Sequence, residues 1–273
     1  MTGSMNLWYT GPTKIFGVWL MVGIYFSGTG NTQFCTETFL NSYEGGAESC
    51  SIESPDALRL LREHQEILFA YPIYYSSLPK IVQDFLRAHG ALFAGKTVFL
   101  LATMGLFSGD GAGCAARVLK RYGAHITGGL HVRMPDSISD EKALKKPLES
   151  NWALVQAAKE KVCAAAHQLR EGTPPRDGLG FLPHAAGLLG QRLWFGHKVK
   201  QYSDRLKIDP TTCVGCGRCA EGCPMGNLTI RDGKAVAGTR CTMCYRCVNH
   251  CPAQAITLLG HQVWGQSTIE AYL

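Results

Sequence analysis

The chain is poor in charge and has no apolar stretch long enough to cross a bilayer. Asp, Glu, Lys and Arg make up 18% of its 273 residues. The longest apolar run, Ile15 to Phe26, holds 12 residues, where a membrane span needs about 20. No small-residue cleavage site follows it, only a glycine-bearing turn, so it reads as a buried strand with a lead-in and not as a signal peptide or an anchor. With no targeting signal, the expected location is the cytoplasm. Low-complexity tracts are missing too, which confines expected disorder to the termini. Nor is there a nucleophile–base triad, a pair of carboxylates or a set of histidines at metal-ligand spacing. Hydrolytic and acid–base chemistry therefore has no visible carrier.

Cysteine is abundant by contrast. Of twelve cysteines, eight fall between residues 213 and 251. They form two runs, Cys213-x-x-Cys216-x-x-Cys219-x-x-x-Cys223-Pro224 and Cys241-x-x-Cys244-x-x-Cys247-x-x-x-Cys251-Pro252. The runs repeat with an offset of 28 residues, and Leu228-Thr229-Ile230 matches Ile256-Thr257-Leu258 at the same offset. Each unit reads as a cysteine loop, a short helix and a strand end. A tetrahedral zinc has no use for a third cysteine and a Cys-Pro tail repeated twice, and a disulfide framework does not suit the cytoplasm. The repeat resembles the ferredoxins that bind two [4Fe–4S] clusters, over roughly residues 205–260. The resemblance implies crossed ligation, because the last cysteine of each run reaches toward the other half. Cys213, Cys216, Cys219 and Cys251 are then expected on one cluster, and Cys241, Cys244, Cys247 and Cys223 on the second. The remaining Cys35, Cys50, Cys114 and Cys163 have no ligand spacing and read as buried thiols that pack like small apolar residues.

Strand-like and helix-like stretches alternate through the first two thirds. Strands are expected at Val22–Phe26, Cys50–Ile52, Ile67–Ala70, Thr97–Ala102 and Ile126–Val132. Helices are expected from Asn31, from Asp56, over Ile81–Arg87, near Ala112–Tyr122, and from Glu141 to about Arg170. The strands are apolar nearly throughout, which predicts an α/β fold with helices on both faces of a doubly wound parallel sheet. In such a sheet ligands sit beyond the carboxyl ends of the strands. The first post-strand loop, Ser27-Gly28-Thr29-Gly30-Asn31-Thr32, offers tight glycine turns, neutral hydroxyl donors and the positive end of the following helix, which are the parts of a phosphate cradle. It lacks the lysine of an ATP-binding loop and the third glycine of a dinucleotide fold.

This loop resembles the FMN phosphate loop of flavodoxins, and the resemblance covers about residues 20–170. It implies flavin contacts from a second loop that includes Pro72, Tyr74, Tyr75 and Ser76, with Tyr74 or Tyr75 stacked on the ring. It implies further contacts from a third loop that includes Thr103, Met104, Gly105, Leu106 and Phe107. The whole chain looks like the flavodoxin–ferredoxin fusion proteins, with Met134-Pro135-Asp136 and Lys207-Ile208-Asp209 also similar to that family. Those proteins start at the first strand, so Met21 is the expected beginning of the fold and residues 1–20 an N-terminal extension. The expected organisation is a flavodoxin-like FMN domain over residues 21–171, a linker with an amphipathic helix over 172–204, and an α+β two-cluster ferredoxin domain over 205–273. Phe195, Val199, Tyr202 and Leu206 recur at helical spacing in that middle segment.

The formal charge of +6 sits in the middle segment: residues 176–208 carry six basic and two acidic side chains, whereas the flanking stretches are nearly balanced. Two clusters with their thiolates and a flavin phosphate, each bringing about −2, leave the loaded protein near neutral. A nucleic-acid role is excluded on that ground. The expected activity is electron transfer between the two clusters, FMN and a redox protein donor or acceptor. The alternative is an FMN-dependent reductase of a small organic acceptor, such as a quinone, nitro compound or tetrapyrrole, fed by its own clusters.

Overall fold

A computed structural model describes residues 21–74, 77–106, 109–180 and 205–273. A five-stranded sheet is built from β1 (Met21–Tyr25), β2 (Ser49–Ser51), β3 (Glu66–Pro72), β4 (Thr97–Met104) and β5 (His125–Arg133), in the order β2-β1-β3-β4-β5. All four pairings are parallel, with Val22 beside Ile67, Ile67 beside Val98 and Val98 beside Ile126. This is the flavodoxin-like strand order, whose switch point between β1 and β3 marks the ligand end of the sheet.

Side chains alternate faces along each strand, and both faces are covered. Val22, Ile24, Phe69, Tyr71, Leu100 and Ala102 pack beneath α2 (Asp56–Glu63), α3 (Lys80–His89) and α4 (Gly111–Arg121). Met21, Tyr25, Leu68, Ala70, Phe99 and Leu101 pack beneath α1 (Asn31–Glu44) and α5 (Leu148–Arg170). The last helix starts later than the sequence pattern predicts, at Leu148 and not Glu141. Lys145 is extended and Pro147 sits just outside the first turn, because proline forces its predecessor out of helical geometry. Residues 142–144 make only a single 3₁₀ turn.

After α5 the chain turns back along the outer edge of the sheet. Gly129 donates to Pro175 O and accepts from Asp177 N–H, and the Asp177 carboxylate takes His131 N–H at 3.0 Å and the Lys161 ammonium at 3.2 Å. The beginning of the expected linker is thus paired with β5. Most of the expected amphipathic helix lies outside the described residues. Just beyond it, β6 (Lys207–Ile208) pairs antiparallel with β9 (Ile256–Thr257). Between them lie α6 (Arg218–Glu221), the hairpin β7 (Leu228–Arg231) and β8 (Lys234–Ala237), and α7 (Arg246–Asn249). The predicted repeat of loop, short helix and strand is visible in this order. The expected extension, residues 1–20, also lies outside the described residues.

The cysteine-rich unit is fastened to the sheet by the loop after β5. Asp140, 2% exposed, accepts backbone N–H bonds from Leu258 (2.6 Å), Leu259 (2.9 Å) and Gly260 (3.1 Å), and the Tyr245 hydroxyl at 3.0 Å. Next to it Ser139 donates to the Asn249 side chain, whose amide donates to Ser137 O at 2.8 Å. Asp140→Ala strands three buried N–H groups at about 1–3 kcal/mol each before relaxation. The expected loss is several kcal/mol in denaturant titrations followed at the cluster chromophore, with a smaller loss for Asp140→Asn.

His131 supplies a pH dependence. Its Nε2 accepts the Ala112 N–H at 3.0 Å, which holds the ring neutral. Burial lowers its pKa to about 4, with Asp177 pulling up and Lys161 pushing down. The unfolded chain takes up that proton near pH 6.5, so this contribution is intact above pH 6.5 and is lost as pH falls toward 4. Between pH 7.5 and pH 5 the wild type should lose about 2 kcal/mol more than His131→Gln, measured by chemical denaturation at the two pH values.

Candidate functional site

The loops at the carboxyl ends of β1, β3, β4 and β5 enclose a cavity of about 390 Å³. Of the residues expected from the sequence, Ser27, Gly28, Thr29, Asn31 and Thr32 line it from the first loop, Pro72 and Tyr74 from the second, and Thr103, Met104, Gly105 and Leu106 from the third. Gly30 does not line it. At φ 88° it makes the turn into α1, and a methyl group there would meet Ile269 of the C-terminal 3₁₀ turn at 2.2 Å. Tyr75, Ser76 and Phe107 lie outside the described residues.

The chemistry of the first loop fits a phosphate ester. Helix α1 begins with no side-chain cap and no acidic residue in its own first turn, which leaves its first N–H groups and positive dipole end available at the cavity. The buried Ser27 Oγ and Asn31 Oδ1 have no hydrogen-bond partner. A buried hydroxyl without a partner is costly, and here it is the donor a ligand oxygen would satisfy. The Asn31 amide meanwhile donates to Pro135 O at 2.9 Å, which leaves its oxygen to accept from a ligand hydroxyl. Thr32 Oγ1 lies 2.7 Å from Thr103 Oγ1, so the two hydroxyls are paired across the first and third loops, with one O–H of the pair left to donate.

The far wall was not foreseen in full. Met134, Pro135, Asp136, Ser137 and Ile138 of the loop after β5 line the cavity, as do Met243 and Tyr245 from the second cysteine run. The Pro135-Asp136 step signalled the first group, whereas nothing in the spacing of the cysteines marked the residues between them. Burial pushes the Asp136 carboxyl above its usual range, against the Ile138 N–H and the Lys145 and Lys146 charges that lower it. The Tyr74 phenol is held well above its usual range by burial and then by the neighbouring Cys244.

The cysteines ring two further cavities. Cys223 shares one with Cys241, Cys244 and Cys247; Cys251 shares the other with Cys213, Cys216 and Cys219. These are the crossed sets the repeat predicts. Among the described residues no three Cys, His, Asp or Glu side chains converge to hold a single metal ion. Backbone N–H groups point at the sulfurs, from Asn227 to Cys223 (3.2 Å), Met243 to Cys241 (3.3 Å), Ala255 to Cys251 (3.4 Å) and Ala235 to Cys213 (3.5 Å). Such bonds stabilise thiolates and set the potential of a bound cluster. Of the other four cysteines, Cys35 and Cys114 are buried as expected, while Cys50 and Cys163 are only partly so.

A family model for a 4Fe-4S dicluster domain matches residues 205–252. No curated protein matches the chain. Among solved structures, the chain is similar to the flavodoxin of Megasphaera elsdenii (22% identity, 54% of this chain and 98% of that one, TM-score 0.39). It is also similar to flavodoxin 2 of Bacillus cereus (18%, 55% and 97%, TM-score 0.41) and to a WrbA-like flavodoxin protein of Agrobacterium tumefaciens (16%, 56% and 98%, TM-score 0.40). The strand order β2-β1-β3-β4-β5 is flavodoxin-like and residues 205–252 match a 4Fe-4S dicluster domain, and the two together support a redox function. Among the described residues no helix is long and apolar enough to cross a membrane.

The crossed arrangement has a direct consequence. Cys223→Ala should disturb the cluster of the 241–247 loop and leave the other intact, as read by electron paramagnetic resonance of the reduced protein. Loss of the other signal alone would refute the pairing.

Proposed function

We propose that the chain is an electron-transfer flavoprotein, passing electrons between two [4Fe–4S] clusters and an FMN, and on to a redox protein partner. In this reading residues 21–171 hold the flavin, 205–273 hold the clusters, and the chain is of the flavodoxin–ferredoxin fusion type. The observation that carries the proposal is the shared wall: Met243 and Tyr245, from the loop of one cysteine set, line the same cavity as the phosphate-type loop. A cluster loop on the wall of a flavin-sized cavity would bring the two cofactors close enough to exchange electrons.

The chain's own groups have simple tasks here. Ser27 Oγ and the first N–H groups of α1 would hold the phosphate, Asn31 Oδ1 would accept from a ribityl hydroxyl, and Pro72, Tyr74, Met104 and Leu106 would pack on the ring. FMN would supply the step between one-electron and two-electron chemistry. No cationic side chain lines the cavity among the described residues, so neutral donors and the helix dipole carry the phosphate. Thiolate ligation suits a reducing compartment, in keeping with a cytoplasmic carrier.

Fluorescence titration of the flavin-free protein tests the reading. FMN should bind at least about tenfold more tightly than riboflavin, equivalent to about 1.4 kcal/mol from the phosphate. Equal affinity would remove the phosphate site.

A further inference from the structure

We infer that the cluster held by Cys223, Cys241, Cys244 and Cys247 is the flavin's direct electron partner, and that Arg246 is the positioning residue that fixes their separation. The cluster held by Cys213, Cys216, Cys219 and Cys251 is the outer port. The inference rests on the flavin site proposed above and names which of two clusters serves it.

The first observation is a backbone contact. A methyl group on Gly28 of the phosphate-type loop would sit 2.3 Å from the Cys244 carbonyl oxygen, so only glycine lets the cysteine loop come this close. Cys244 itself is buried in the hydrophobic core beneath α2–α4, and its neighbours Met243 and Tyr245 line the flavin cavity. The outer set has none of this. Cys216 is exposed, Val214 in the same loop is 68% exposed, and no residue of the 213–219 loop lines the flavin cavity.

The second observation is the Arg246 guanidinium, which joins every segment concerned. It donates to Ser27 O at 2.7 Å and Gly28 O at 3.3 Å in the phosphate-type loop. It pairs with both Glu53 oxygens at 2.6 and 2.7 Å in the loop after β2, and it lies over the Phe26 ring at 6.0 Å. It also donates to Gly222 O at 3.0 Å, beside Cys223, the ligand that crosses over from the first run. Arg246 itself precedes Cys247. One planar fork therefore ties both chain segments of the inner cluster to the loop that would hold the flavin phosphate. Lysine, a single compact charge, cannot replace these five directed hydrogen bonds.

Each transfer in this arrangement oxidises the inner cluster by one electron and reduces the flavin by one. The outer cluster, reduced by an external one-electron donor, refills the inner one, and protons taken up by the flavin come from solvent. Dithionite serves as the donor in the test.

The full chain, loaded with clusters but not flavin, is observed by proton NMR through the hyperfine-shifted β-protons of its eight ligand cysteines. FMN should shift the resonances of Cys223, Cys241, Cys244 and Cys247 and leave the other four in place. Shifts in the outer set, or equal shifts in both, would overturn the assignment. If FMN fluorescence shows no binding, the flavin reading falls and takes the inference with it. In flavin-loaded Arg246→Lys, reduction of flavin after mixing with dithionite should slow by about tenfold or more, with FMN affinity changed less than about threefold. Glu53→Gln, which keeps the carbonyl bonds of Arg246, should slow it less and serves if the lysine variant does not fold. An unchanged rate would end the positioning role.

Discussion

A carboxylate with almost no water around it must be satisfied by protein, and Asp140 is satisfied entirely from the cysteine-rich unit. Three consecutive N–H groups and a tyrosine hydroxyl converge on one side chain from the loop after β5. Because consecutive amides can reach one oxygen only in a tight turn, this contact fixes both the position of residues 258–260 and their orientation. Tyr245 is part of the same set, so the cysteine loop that contains it is located by the same constraint. The rest of the interface follows: Asn249 against residues 137–139, Ile269 N–H on Thr29 O, and Arg246 on the first loop.

The carboxyl edge of a parallel sheet is where backbone groups run out of strand partners. In this protein those unpaired groups are used twice over. Toward the cavity they leave free N–H groups and lone hydroxyls, suited to an anionic ligand. Away from it their carbonyls accept from Arg246, a residue placed by the cluster loop. A single turn, residues 27–30, therefore faces the cavity on one side and serves as docking platform on the other. Its two glycines answer to different neighbours, Gly28 to Cys244 and Gly30 to Ile269.

The sheet and the cluster sets were legible because each follows from short-range rules. Apolar runs of strand length bounded by helical patterns dictate a parallel sheet, and three cysteines at intervals of three line a cavity from one loop while the fourth comes from the other run. The start of α5 was read too early because the proline signal at Pro147 was outweighed by a long helical composition. The pairing of Thr32 with Thr103 escaped because it joins two loops distant in sequence. Met243, Tyr245 and Arg246 escaped for a further reason: as intervening residues in a ligand motif they obey no local pattern, and their role comes only from which unit their loop faces. Interface function of this kind is a property of two sequences at once.

The stretch after α5 changes how the molecule meets its own copies. By laying residues 174–179 along β5, the chain covers the outer backbone of that strand around Gly129, while at the opposite edge β2 has only three residues. Exposed, flat strand edges are templates on which other chains add strands and aggregate. Here one border is covered at its middle, around Gly129 and His131, and the other is only three residues long, so each offers a neighbouring chain little free backbone on which to add a strand.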